Sequence, residues 1–228
     1  MTFFVTAVTI EYMTTISEIV MEIIQGDEIA LEALRMDCLN LSAYAIKIMP
    51  LVAKKTYRNV GKSAVVTALS RMKNELSKAP PLCPIVKIED MSIKSPLTEI
   101  SFEKTAELTQ CASKLDSKLV LQSNFYTVTH GVNEITLIFS ENLEKQILGY
   151  FKAKPKGIYR KLVAITVRFV EQEYIETPNM IYSLVSSMAR KRINIMEIVS
   201  TFTEISFIVK EKDMDKTIEA LKQFLVVE

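Results

Sequence analysis

Few side chains in this sequence of 228 residues are of a type and spacing that could do chemistry, and the clearest of them are basic. Lys62, Ser63, Thr67 and Arg71 fall on one face of a predicted helix, where ammonium, guanidinium and hydroxyl groups make phosphate and base-edge contacts. The segment 41–78 holds eight Lys or Arg residues against Glu75 alone, a net +7 in a chain whose total is +1. Such asymmetry is the electrostatic footprint of a nucleic-acid surface. A solvated basic face on a helical dimerisation module, or a dock for an acidic partner, carries the same pattern.

Catalytic constellations are absent from the sequence. The five glycines (Gly26, Gly61, Gly131, Gly149, Gly157) lie too far apart to wrap a phosphate. Neither a dinucleotide fingerprint nor a phosphate-binding loop occurs. Gly61-Lys62-Ser63 ends like the latter, but the upstream glycine is missing and the tripeptide follows a helix. No serine stands in a nucleophile elbow. The single histidine, His130, sits in a Thr-His-Gly turn and cannot build a multi-histidine metal centre. Cys38, Cys83 and Cys111 are isolated and odd in number, which fits a reducing compartment without a disulfide framework and lacks zinc-site spacing. The expectation is a cytoplasmic protein that is no enzyme and holds no cofactor or metal. Met1 to Tyr12, with Glu11 its only charge, is too short an apolar run to span a bilayer. It reads as a short strand or a frayed start, with Met13 an alternative start, and no membrane partner is expected.

The elements that would position these residues divide in two. Helical spacing runs from Thr14 to Lys78. A helix through Ile16, Ile19, Val20, Ile23 and Ile24 ends at Gly26-Asp27, and a second spans 28–39. Asn40-Leu41-Ser42 caps a short helix over 43–49 that stops near Pro50, and 51–57 adds a turn or two. Gly61-Lys62-Ser63 caps the last helix, 64–76, and this pair reads as a helix-turn-helix. Ala79-Pro80-Pro81-Leu82-Cys83-Pro84 then makes a stiff, extended spacer.

Strands and helices alternate beyond the spacer, and they contain a repeat. Asn124 through Phe139 aligns with Asn194 through Val209 at an offset of 70 residues without a gap; Asn, Glu, Ile and Ile are identical. Each copy reads as a hairpin followed by an amphipathic helix, 143–151 and 214–224. Glu99-Ile100-Ser101-Phe102 and 106–115 supply the first copy's opening strand and helix. Such a period marks a duplicated supersecondary unit. The second copy lacks a closing strand, since only four residues follow Phe224. Ile85 to Ile93 is the expected filler, because an unpaired edge invites aggregation.

The run Leu162 to Leu225 (strand, capped helix, hairpin, helix with almost no connecting loop) resembles an ACT domain, and the tandem is similar to the regulatory half of aspartate kinases, without their catalytic domain. The resemblance implies an effector amino acid at an interface between units. Its loop from first strand to first helix corresponds to Glu176-Thr177-Pro178-Asn179-Met180-Ile181. Its second strand, contributed by a neighbouring unit, corresponds to Asn194 through Thr201, with Asn194, Ile195 and Ser200 as contacts. Thr177 suits an N-cap and Pro178 the first helical position, leaving helix amides for a ligand carboxylate, while Asn194 can accept from a ligand ammonium. The same Thr-Pro is a good cap without any ligand, and Asn194 can simply close a turn. The family's usual glycine after the proline is replaced by Asn179, and Thr105 stands in the first copy's loop.

The fold class expected is therefore α+β: an all-helical N-terminal domain over 1–78, a linker over 79–84, and two ferredoxin-like (βαββαβ) ACT units in tandem, a degenerate one over 85–158 and a second over 159–228. The function implied is sensing of an amino acid by a transcriptional regulator that dimerises through its ACT units. The alternative is a regulatory subunit giving amino-acid feedback to a separate biosynthetic enzyme.

Overall fold

Thr15 starts the first helix with a reciprocal cap: its hydroxyl accepts from the Glu18 amide while the Glu18 carboxylate accepts from the Thr15 amide, which satisfies two orphan donors at once. A computed structural model describes residues 15–76, 78, 80–115 and 125–225 of the chain. The expected strand or frayed start at Met1 to Tyr12, Asn124 of the repeat, and Ala79 of the spacer lie outside them. The chain divides into two compact units between Leu82 and Cys83.

The helical unit contains α1 (Ile16–Gln25), α2 (Glu28–Arg35), α3 (Leu41–Thr56) and α4 (Lys62–Leu76). Asp27 joins them: its carboxylate caps α2 at the Ala30 amide and accepts from the Tyr44 hydroxyl and the Lys47 ammonium of α3. Burial, then the adjacent Asp27 charge, pushes the Tyr44 phenol up to about 12. A core of Val20, Ile24, Leu34, Val52, Val65 and Leu69 closes the unit. Three expectations are corrected. The helix expected over 28–39 ends at Arg35. Helix α4 begins at Lys62 rather than Ala64. Pro50 does not end a helix, for α3 runs through it. Buried Ile48 and Val52 flank it on the core stripe, and their burial outweighs the one ladder hydrogen bond that proline cannot make.

The second unit is α+β, a six-stranded antiparallel sheet in the order β2-β3-β1-β4-β6-β5. Its strands are β1 (Ile88–Glu103), β2 (Tyr126–His130), β3 (Glu134–Ser140), β4 (Gly157–Phe169), β5 (Ile195–Ser200) and β6 (Glu204–Lys210). Its helices are α5 (Ala106–Ser113), α6 (Glu144–Phe151), α7 (Glu171–Glu176), α8 (Met180–Arg190) and α9 (Met214–Lys222). The 70-residue offset recurs in three dimensions. Strand β3 maps onto β6, and a 3-10 turn at 141–143 maps onto one at 211–213. His130↔Ile135 in the first hairpin maps onto Ser200↔Ile205 in the second.

Two long strands serve both copies. Residues 97–103 of β1 pair with β3, and residues 157–159 of β4 pair with residues 99–101 of β1, so the first copy closes as βαββαβ. Residues 162–168 of β4 pair with β6, and Ile88 through Lys94 of β1 cover the other edge of that strand. The missing last strand of the second copy thus comes from the segment after the proline spacer, as its pattern predicts, although regular pairing begins at Ile88 rather than Ile85. Ile88 is fully buried, and its amide donates to the Phe224 carbonyl, which ties the chain's end to the borrowed strand. Alternation puts Val163, Ile165, Val167, Phe207 and Val209 against Leu184, Met188 and Leu221 of the helices. Leu97, Ile138, Leu162, Ala164 and Ile208 form a second apolar cluster on the opposite face.

Candidate ligand site and basic face

The segment between β4 and α8 decides what can bind at the head of α8. Strand β4 ends at Phe169, and α7 occupies 171–176, so the helix expected to start at Thr177-Pro178 starts at Met180. The cap is Asn179, with φ +68°, and its side chain makes no capping hydrogen bond; Thr177 does not fill the role. This corrects the expected cap and explains the residue. A left-handed backbone costs least for glycine and next least for asparagine, so asparagine suits this position. The Asn179 carbonyl accepts from the Ser183 amide. The amides of Met180 and Ile181 lie in the first turn, where helix N–H groups have no partner within the helix.

The other predicted contacts are spread along the unit. Thr177 is half-buried, Pro178 and Asn179 are exposed, and Ile181 is 42% exposed. The Met180 side chain is buried in the core between sheet and helices, which leaves only its backbone for a ligand. Asn194 is exposed, and its amide nitrogen stands 3.5 Å from Met196 Sδ. Ile195 is half-buried and pairs with Val209; Ser200 is exposed and pairs with Ile205. Asn194 follows the far end of α8, so the helix length separates it from Asn179 by roughly 16 Å. Ser200 lies at the same end as the loop, where the adjoining Thr203 carbonyl accepts from the Phe169 amide. One chain therefore does not close the loop with Asn194 and Ile195 into a single site.

Sequence reasoning missed Glu99. It is only 5% exposed, and its Oε2 has no hydrogen-bond partner among the described residues. Burial, helped by the Glu197 carboxylate on β5, pushes it up to about 7. Burial also raises Glu197. Alternation along β1 puts Glu99 on the face opposite the described helices, the face that carries the apolar cluster of Leu97, Ile138, Leu162, Ala164 and Ile208.

The basic residues of the helical unit divide in two groups. Lys62, Ser63, Thr67 and Arg71 are all exposed on α4, as their spacing predicts. Three other lysines are neutralised within the unit: Lys47 by Asp27 (3.1 Å), Lys55 by Glu22 (2.5 Å) and Lys73 by Asp37 (2.5 Å). Carboxylates of α1 and of the two turns flanking α2 thus return against the +7 segment. Arg71 lines a pocket of about 460 Å³ with Glu18, Glu22 and Glu75, over Met21 and Met72. No group of three or more His, Cys, Asp or Glu residues among those described could hold a metal ion. No described helix is long and apolar enough to cross a membrane.

Residues 160–223 match the ACT domain family. The fold of the second unit is similar to two solved structures at the level of overall architecture. One is the aspartate kinase of Clostridium acetobutylicum, described as an allosteric enzyme, with 14% identity and a TM-score of 0.50, covering 60% of this chain and 34% of that one. The other is the regulatory subunit of aspartate kinase from Thermus flavus, with 10% identity and a TM-score of 0.50, covering 60% of this chain and 98% of that one. The chain thus spans about a third of the Clostridium enzyme's length. No curated protein matches the sequence.

Proposed function

We propose that this protein is a non-catalytic regulator that senses an amino acid through its ACT unit at 160–223. The observation that supports this reading is the left-handed Asn179 at the head of α8, followed by the first-turn amides of Met180 and Ile181, which suit a ligand carboxylate. A second copy of the chain supplies Asn194 and Ile195 to the loop of the first, so that ligand binding favours one pairing of ACT sheets over another. The exposed edges of β2 and β5 support such a homodimer.

The output arm is the helical unit, and the reading advanced is transcriptional regulation. Lys62, Ser63, Thr67 and Arg71 would meet DNA from one face of α4, with Lys54 and Lys78 as further phosphate contacts. The second reading, a regulatory subunit that docks on a separate biosynthetic enzyme, is favoured by the three internal ion pairs, which lower the net charge offered to a polyanion.

Two measurements test the proposal. Thermal melting of the full chain with each L-amino acid is expected to rise for at least one, and a flat result across all of them contradicts sensing. A mobility shift on the DNA upstream of its own coding region is expected at low salt and is lost as salt rises, because binding releases about 0.9 counterion per phosphate neutralised. Absence of a shift at low salt removes the DNA reading and leaves the docking one.

A further inference from the structure

We propose that a pocket on the face of the sheet opposite the described helices is a second small-ligand site, and that it takes a zwitterionic amino acid, with the carboxylate on Lys94 and the ammonium on Glu204. The pocket has a volume of about 320 Å³ and lies between the second copy's sheet and the start of β2, at the small end of the range for ligand cavities. Its floor is a row of hydroxyls. Ser92 pairs in register with Thr166, and Thr166 with Ser206. The two side chains of the latter pair share a hydrogen bond of 2.7 Å. Tyr126 of the first copy forms part of the wall.

The charges flank that row. Lys94 pairs with Ala164 and Glu204 with Arg168, so the register sets them two residues to either side of the Thr166–Ser206 pair. Both line the pocket. Neither side chain has an ion-pair or hydrogen-bond partner among the described residues, and the two do not pair with each other. Arg168, the cross-strand neighbour of Glu204, turns instead to Glu89 at 3.6 Å. The repeat supplies an internal control. Glu134, the counterpart of Glu204 one offset upstream, is neutralised by Lys156 at 2.5 Å. Gly157 stands in the first copy opposite Ser101, where Ser92 stands opposite Thr166 in the second. The second copy alone presents an unneutralised anion and an unneutralised cation across a hydroxyl floor, the complement of a molecule with both charges.

This site is independent of the loop before α8, which belongs to the opposite face. The test is calorimetric titration of the full chain carrying Ile181→Glu, a substitution that sets a carboxylate in the first turn of α8 and repels ligand from the loop. Each L-amino acid is titrated, and each one that binds is followed by its carboxamide and its N-acetyl derivative, which lack one charge each. At least one amino acid is expected to bind. Lys94→Met and Glu204→Gln, both at exposed positions, are each expected to weaken it by about tenfold or more, and both derivatives are expected to fail. Ligand-free melting within a few degrees of the parent establishes that each variant is folded. Loss of all binding in the Ile181→Glu parent, or binding that both rim variants leave unchanged, overturns the proposal. Melting shifts in the unsubstituted chain report separately on the loop.

Discussion

The Thr166 hydroxyl lies 2.7 Å from the Ser206 hydroxyl across β4 and β6, and the first copy repeats the bridge with the residue types exchanged, Ser101 to Thr136 at 2.9 Å. Each bridge joins the first and third strands of its unit at the same register step. Both bridges lie on the face opposite the described helices, beside the apolar cluster of Leu97, Ile138, Leu162, Ala164 and Ile208, and a hydroxyl that makes one hydrogen bond keeps capacity for another.

The bridge itself is open to a double-mutant cycle. Thr166→Val and Ser206→Ala remove one partner each, and the pair together removes both. Either single change is expected to cost about 1 kcal/mol in urea unfolding, and the double change less than the sum, since a lone buried hydroxyl loses its partner while an empty site does not. Strict additivity would mean that the hydrogen bond contributes nothing.

The borrowed strand is expected to hold the second copy together. Ile88 is fully buried beside Phe169 and Leu225, so Ile88→Ala should cost about 2–4 kcal/mol. The solvent-facing Glu89→Ala, one residue on, should change stability by less than about 0.5 kcal/mol. Equal and small effects at both positions would argue that residues 88–94 do not form the closing strand in solution.

Glu99 predicts a stability that falls with rising pH. Its carboxyl is raised from an ordinary 4.5 to about 7, first by burial and then by Glu197. The folded state therefore binds more protons than the unfolded state between those values, and stability declines across that window and levels off above about 7. Glu99→Gln should flatten the decline and stabilise the protein at pH 8, by about 1–2 kcal/mol once solvent relaxation around the charge is allowed for. Denaturant titrations at several pH values check the slope; an unchanged slope in the variant assigns it elsewhere.

Asn179 tests the loop's backbone. With φ at +68°, Asn179→Gly should leave stability nearly unchanged, and Asn179→Val should lose about 1–2 kcal/mol to left-handed strain. Equal behaviour of the two would place the residue in ordinary backbone.

Much of the sheet unit is legible in the chain because its signals are local or periodic. The 70-residue offset carries β3 onto β6 and one 3-10 turn onto the other, and the strand-like run after the prolines fills the edge that the second copy lacks. What is not legible depends on distant partners. Thr177-Pro178 is a sound cap by local chemistry, but α7 takes up the residues before it and moves the cap to Asn179. Pro50 is a sound stop until the burial of Ile48 and Val52 overrides it. The charge excess of 41–78 is real in sequence and is reduced when Glu22, Asp27 and Asp37 fold back onto it. Lys94 and Glu204 stand 110 positions apart in the chain, and only strand register makes them face one pocket.

Hydrogen exchange on the full chain, with and without a saturating amino acid that raises its melting temperature, tests the sensing claim most directly. The prediction is slower exchange at the Met180 and Ile181 amides, the first-turn donors a ligand carboxylate would occupy. A ligand that raises the melting temperature while leaving those amides unchanged would contradict the loop before α8 as the sensor.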